Sequence, residues 1–363
     1  MSEAKVSNRA VNWDLLRALA MFLVVVVHTA KYLGPIHGFG TATLVSKTAI
    51  ICDPIFFAMS GFFAIRPSKR NLGNYYLNKV CTILLPLAAY IVLLYFYSTG
   101  FSNMSLGNFF QYFASTLSGR WWFIPALVPC LVAAPFLAKG LDALTNHQTK
   151  MLTVVTAALF LSGAALTTAQ WLFSTIGIET LANFCSLLLW LVPPSVLTSS
   201  PAYVLFFILG GLFRRLAPLI GRKNGARIIA WGIVFWIADV TWATLGIPRS
   251  DPSYFWLFST FGIMLLFDRV NIGSDIASRA ISWVAQRSYS IYLLQYTTIA
   301  ISSALFYDQA FFGVIPEMAA PLRILGWIAM TFSAYLLALA IASIVDTLIL
   351  SPLQKLFRKL FMS

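Results

Sequence analysis

Long, unbroken runs of apolar residues recur along the 363-residue chain. Most are about as long as the 17–25 residues that a helix needs to cross a bilayer, whereas membrane strands would alternate apolar and polar positions. The pattern therefore predicts an all-α membrane protein with about ten transmembrane helices. The predicted spans lie near residues 13-33, 43-65, 78-98, 121-139, 151-169, 200-215, 227-246, 252-267, 287-306 and 323-350.

One further apolar run, Leu187 to Pro194, is too short to span and ends in a proline pair, which indicates a re-entrant or surface piece. It belongs to a stretch of about residues 170-199 that contains no Lys or Arg and is largely apolar. Such a composition favours an extracytoplasmic lid on the helix bundle over a free loop. No internal repeat is visible, so we expect residues 1-363 to form one integral membrane domain.

Composition excludes a soluble globular protein, since 59% of residues are hydrophobic and only 10% are charged. The net charge of +13 comes from 25 Lys and Arg against 12 Asp and Glu. In a multispan protein this excess collects in cytoplasmic loops, so no nucleic-acid partner is predicted. The four cysteines have neither paired nor metal-ligand spacing and are interpreted as reduced thiols: Cys52, Cys81, Cys130 and Cys185.

The distribution of basic residues predicts the orientation. With ten spans and cytoplasmic N- and C-termini, 19 basic residues lie in inner segments and five in outer segments, while Arg17 lies inside the first span. An eleventh crossing would move the five basic residues of 214-227 outside, against the positive-inside rule. We therefore expect a multi-pass protein of the plasma (inner) cell membrane.

Charged groups within spans are functional candidates because each costs at least ~2.5–3.5 kcal/mol on insertion scales. The first span contains Asp14, Arg17 and His28. Arg17 and His28 are eleven residues apart, which is three turns plus about 20° and roughly 16.5 Å along the axis. They are therefore predicted to share a face, with Asp14 within reach of Arg17. The alternative is that Asp14 and Arg17 snorkel to the inner interface and His28 makes a packing contact.

The stretch WDLLRALAMFLVVVVH resembles the first-helix signature of the acyltransferase 3 family, an Arg or Lys, ten intervening residues and a His. Further segments are similar to family elements in the same order, from about residue 12 to 295. They are Phe56 to Phe62 (FFxxSGF), Trp122-Phe123 with Leu127, Phe206 to Gly210 with Arg214, and Ser288 to Leu294 (SYxIYLL). The chain departs from the family at Gln295, where many members have His, and at Lys79 and Thr82, where two Arg are common.

The resemblance implies acyl transfer from cytoplasmic acyl-CoA, usually acetyl-CoA, to a hydroxyl of an extracytoplasmic or lipid-linked glycan. It implies that His28 is the catalytic base or an acyl-accepting nucleophile. Arg17, held by Asp14, would bind the CoA moiety. Acyl-CoA is then a co-substrate, and neither a further cofactor nor a metal is expected.

Other polar residues have two interpretations each. Asp53 orients the imidazole, or it pairs with Lys47 or caps a helix break before Pro54. Three basic residues near the inner surface either only follow the positive-inside rule or contact a CoA phosphate: Arg66, Arg70 and Lys79. Outer residues belong to the aromatic belt and its flank or contact the acceptor sugar: Arg120, Trp121 and Trp122.

Two rival functions fit the same sequence. A transporter or flippase of a glycan precursor also suits ten helices with few intramembrane charges, although no internal symmetry of halves is visible. A catalytically silent structural partner in polysaccharide export is the other alternative. The expected partners are acyl-CoA, an extracytoplasmic glycan and the lipid bilayer, and the oligomeric state is left open.

Overall fold

The computed structural model describes residues 10–36, 40–67, 71–100, 104–190, 203–247, 249–308 and 319–362. Arg70 and residues 191–199 of the predicted lid lie outside these ranges. Over the described residues the chain is all-helical, as predicted. Its helices are α1 (Val11–Thr29), α2 (Thr41–Ala49), α3 (Cys52–Ala64), α4 (Leu72–Lys79), α5 (Leu85–Thr99), α6 (Leu106–Ser115), α7 (Phe123–Ala143), α8 (Asn146–Thr175), α9 (Glu179–Leu189), α10 (Val204–Leu216), α11 (Arg222–Thr244), α12 (Trp256–Asp268), α13 (Asp275–Gln286), α14 (Ser288–Ser303), α15 (Ala320–Val345) and α16 (Ser351–Phe361).

Seven of the predicted spans coincide with helical segments long and apolar enough to cross a membrane, counted over the described residues. The remaining three ranges coincide with α10, α12 and α14, which have 13, 13 and 16 residues. A helix of 13 residues reaches only about 20 Å, less than the hydrocarbon thickness. The total of ten spans therefore stays a prediction.

Helix α1 lies at the centre of the bundle. It contacts α2, α3, α12, α13, α14 and α15. The most apolar window of its span is 56% buried, compared with 11% for α11. Because protein surrounds α1 on most sides, a polar side chain on this helix meets protein groups or a cavity rather than lipid.

The second predicted span is broken near its middle. Helix α2 ends at Ala49, and α3 begins at Cys52, two residues before Pro54. Proline is tolerated in the first turn because the N–H groups there have no intrahelical partner. The break places Asp53 in the first turn of α3, where the backbone N–H groups have no intrahelical partner.

Glycines allow α3 and α10 to cross at backbone distance. A Cβ atom on Gly61 would collide with the carbonyl oxygen of Phe207, and one on Gly210 would collide with that of Ala58. The two motif segments FFxxSGF and FFxLG are therefore packed directly on each other. This crossing fixes the position of α3, from which Asp53, Phe56 and Ser60 face inward.

Candidate active site

A cavity of about 520 Å³ lies between α1, α3, the start of α7 and α14. Tyr203 and Asp251, from the segments preceding α10 and α12, complete its wall. The volume is within the range of small-molecule sites, about 300–1,000 Å³. Five of the sequence-predicted site residues line this cavity: Arg17, His28, Asp53, Arg120 and Trp122.

One face of α1 forms a wall of the cavity. Arg17, Met21, Val24 and His28 all line it. Their spacing of four, three and four residues follows the helical repeat. The structure thus places Arg17 and His28 on one face, as the sequence predicts, with an apolar strip between them.

Arg17 is held from two sides. Its Nη1 lies 3.7 Å from Oδ1 of Asp14, and its guanidinium carbon lies 5.4 Å from the centre of the Phe63 ring. Asp14 is buried and also accepts a hydrogen bond of 2.8 Å from Oγ of Ser282 on α13. About a third of the Arg17 side chain, 31%, is exposed, and the residue lines the cavity, so an anion in the cavity can approach it.

His28 contacts a tyrosine of α14. The Tyr296 hydroxyl lies 3.2 Å from Nε2 and 3.4 Å from Nδ1 of the imidazole, and the ring centres are 4.7 Å apart. The guanidinium carbon of Arg120 lies 5.9 Å from the centre of the Tyr296 ring. The hydroxyl can reach either ring nitrogen, and a donated proton would favour the tautomer protonated at the other one.

Asp53 faces the cavity without bonding the imidazole directly. Its Oδ1 accepts a long contact of 3.5 Å from Sγ of Cys52, and within the described ranges no hydrogen bond joins it to His28 and no ion pair to Lys47. A second carboxylate, Asp251, also lines the cavity and accepts a hydrogen bond of 2.9 Å from the Tyr203 hydroxyl. Two carboxylates therefore face the same space as the imidazole.

The two neighbouring tryptophans point to different surroundings. Trp122 lines the cavity, with its ring centre 5.4 Å from that of Tyr203. Trp121 is only 1% exposed, belongs to the apolar core and is absent from the cavity wall. Of the two, only Trp122 is therefore positioned to stack on a bound sugar.

Two of the predicted inner basic residues, Arg66 and Lys79, are not among the residues that line the cavity. Arg66 is exposed after the end of α3, and Nζ of Lys79 lies 5.5 Å from the centre of the Tyr75 ring. The charge of Arg66 interacts with those of Lys79 and Arg214. These three cations form a basic cluster, and none of them is among the residues that line the cavity.

Sequence reasoning missed the tyrosines of α14. Tyr289 and Tyr292 line the cavity, and Tyr296 contacts His28. Their spacing of three and four residues places all three hydroxyls on one side of the helix, a pattern that is readable in the sequence. Tyr203 and Asp251 carried no comparable signal. Among the described residues, no cluster of three or more His, Cys, Asp or Glu could hold a metal.

Comparison with known protein families gives a match over most of the chain. The family described as Acyltransferase domain matches residues 11–345, nearly the whole chain. No curated protein sequence and no solved structure matches it significantly. The matched region includes every residue of the cavity wall.

Proposed function

Because the chain belongs to the acyltransferase 3 family, we propose that it is a membrane O-acyltransferase that transfers an acyl group, in particular acetyl, from acyl-CoA to a glycan hydroxyl. The observation that carries this proposal is the shared cavity. A cation, an imidazole and a carboxylate from two helices face one space: Arg17, His28 and Asp53.

The donor would enter at the Arg17 end. Coenzyme A carries phosphates joined to a thin arm that ends in the thioester, so an anion site and a narrow apolar path suit it. Arg17 provides the cation, and Met21 and Val24 provide apolar surface between it and His28. The separation of about 16.5 Å along α1 is long enough for an extended arm.

The chemistry would take place at His28. A glycan hydroxyl attacks the thioester carbonyl, His28 accepts its proton, the carbon–sulfur bond breaks, and the departing thiolate takes the proton to give CoA thiol. Alternatively, an imidazole nitrogen attacks the thioester carbonyl, the carbon–sulfur bond breaks and CoA leaves as the thiol. The acyl group then passes from nitrogen to the glycan hydroxyl, whose proton returns to the ring. Both routes require a neutral imidazole with a defined tautomer.

The acceptor would approach from the opposite end. Trp122 offers an aromatic face, while Arg120 and the carboxylates of Asp53 and Asp251 offer hydrogen-bonding groups for sugar hydroxyls. We place this end outside the cell, with ten spans and both termini in the cytoplasm, on the basis of the positive-inside rule. The acceptor is then a cell-surface or lipid-linked glycan, and the protein lies in the plasma (inner) membrane.

Purified protein in detergent tests the proposal. Release of CoA thiol from acetyl-CoA that requires His28 and rises with added glycan supports the enzyme. A flippase would instead move a labelled glycan across proteoliposomes without thiol release. Activity with succinyl-CoA but not acetyl-CoA would retain the reaction and revise the acyl group.

A further inference from the structure

A second concave surface lies on the outer surface of the helix bundle, away from the candidate active site. It has a volume of about 580 Å³ and lies between α8, α10, α11 and α12. On each of α8, α10 and α11 the lining residues lie within a stretch of eight positions: from Lys150 to Ala157, from Leu209 to Leu216 and from Ile228 to Phe235. These stretches correspond to about 10 Å of groove along the helix axes.

The groove wall is apolar except at one end. The hydroxyls of Thr153 and Thr156 are directed back to their own helix, where they donate to the carbonyls of Thr149 and Leu152 at 2.9 and 2.8 Å. Among the described residues that line the groove, Lys150 is the only charged one. Its side chain is exposed, and no ion pair holds it within the part of the chain that the structure describes.

The charged end coincides with three helix ends. Lys150 is in the first turns of α8, Leu216 is the last residue of α10, and Ile228 is near the start of α11. The basic segment 214-227 connects α10 to α11, so this end of the groove is positive. With both termini in the cytoplasm, as proposed above, it lies at the cytoplasmic surface. Basic pockets between helices on that side match anionic lipid headgroups.

We propose that this groove binds an anionic phospholipid of the inner leaflet, with an acyl chain in the apolar trench and its phosphate at Lys150. Charge complementarity selects this occupant: a zwitterionic lipid would fill the trench equally well but gain less from the unpaired ammonium. A second copy of the chain would have to bury Lys150 against apolar surface, at a desolvation cost. The inference does not depend on the acyl-transfer activity.

Photo-crosslinking of the full chain in phosphatidylcholine vesicles tests whether the groove binds an anionic phospholipid. Two probes are used in separate samples, phosphatidylglycerol and phosphatidylcholine, each added in trace amount and carrying a diazirine on one acyl chain. Light activates the diazirine, and mass spectrometry locates the modified peptides. The phosphatidylglycerol probe should modify peptides covering the groove roughly fivefold more than the phosphatidylcholine probe, the weight of one basic residue near the surface. Lys150→Gln should abolish this preference, whereas Lys139→Gln, an exposed inner lysine outside the groove, should retain it.

A variant that fills the groove distinguishes the contribution of its apolar volume to lipid binding from that of the Lys150 charge. Ala157→Trp places an indole in the groove and should reduce labelling by both probes. If this variant fails to fold, the comparison of Lys150→Gln with Lys139→Gln still tests the proposal. Equal labelling of the native protein by the two probes would overturn the proposal. So would an unchanged preference in Lys150→Gln.

Discussion

The hydroxyl of Tyr296 lies 3.2 Å from Nε2 and 3.4 Å from Nδ1 of His28. The two residues are 268 positions apart in the chain. Helix α14 therefore supplies the hydrogen-bonding partner for an imidazole on α1, and the partner that orients a catalytic histidine sets which nitrogen carries its proton.

Tyr296→Phe should lower turnover roughly two- to tenfold while leaving the KM for the acyl donor nearly unchanged. The variant keeps the ring against His28 and Arg120 but removes the hydroxyl, and one hydrogen bond contributes roughly 0.5–1.5 kcal/mol. Tyr75→Phe is the matched control, because it removes a tyrosine hydrogen bond of 2.9 Å to the Leu131 carbonyl outside the cavity.

A spectroscopic measurement distinguishes orientation from packing. The chain has three histidines, so replacing His37 and His147 leaves His28 as the single ¹⁵N-histidine signal. We expect one dominant imidazole tautomer in the otherwise native protein and a mixture in Tyr296→Phe. Identical tautomer populations in the two proteins would show that the hydroxyl does not orient the ring.

His28→Ala should reduce acyl transfer by a factor of about 10²–10⁴, the usual weight of general base catalysis. The variant should still insert and fold, because it removes a polar group from within the membrane-spanning helix α1. Thiol release and product formation are measured on protein that elutes as a single species. Native turnover by this variant would eliminate both the base and the nucleophile roles.

Arg17 should set the affinity for the donor. Arg17→Ala should weaken CoA binding roughly 10–100-fold, as expected for loss of charged hydrogen bonds, and Arg17→Lys should retain part of it because charge is kept without the planar fork. Binding is measured directly by calorimetry. Asp14→Asn serves as a comparison, since it disturbs the support of Arg17 while leaving the guanidinium in place. Native affinity in Arg17→Ala would contradict the assignment.

Helix periodicity alone placed Arg17 and His28 on one face of α1, because that relationship depends only on the 3.6-residue repeat. It could not supply Tyr296, whose contact depends on how α1 and α14 pack. It also could not separate Trp121 from Trp122. A π-helical turn, Thr116–Arg120, directly precedes them and changes the phase with which the following residues face the bundle.

The predicted spans were also only partly readable from the sequence. Hydropathy located seven of them on long apolar helices, but α10 and α12 are shorter than a bilayer-crossing helix. Sequence reasoning offered three possibilities for Asp53, and the structure shows it both in the first turn after the break and on the cavity wall.

Gly61→Ala should destabilise the protein by about 1–3 kcal/mol, the typical cost of overpacking, because its methyl group would meet the backbone of Phe207. Gly140→Ala is the control within α7: a methyl group there would meet no atom within 4 Å, and alanine favours a helix. Thermal unfolding in detergent should show a lower midpoint for the first and an equal or higher midpoint for the second. Equal midpoints for Gly61→Ala and the native protein would contradict the close crossing.

The orientation of the protein in the membrane determines whether the acyl group is transferred from one side to the other. With 19 basic residues in inner segments and five in outer ones, we expect the Arg17 end of the cavity to face the cytoplasm and the Trp122 end to face outside. Acyl-CoA is too strongly charged to cross the bilayer unaided, so donor and acceptor would meet at His28 from opposite sides.

Single cysteines test this arrangement after the four native cysteines, all buried and unpaired, are replaced. Ser174 and Asn224 are both exposed, the first at the end of α8 and the second at the start of α11. In intact cells, Ser174→Cys should react with a membrane-impermeant maleimide, whereas Asn224→Cys should react only after permeabilisation. The reverse labelling would place Arg17 towards the outside, where acyl-CoA is absent, and would exclude transfer from a cytoplasmic donor through this cavity to a surface glycan.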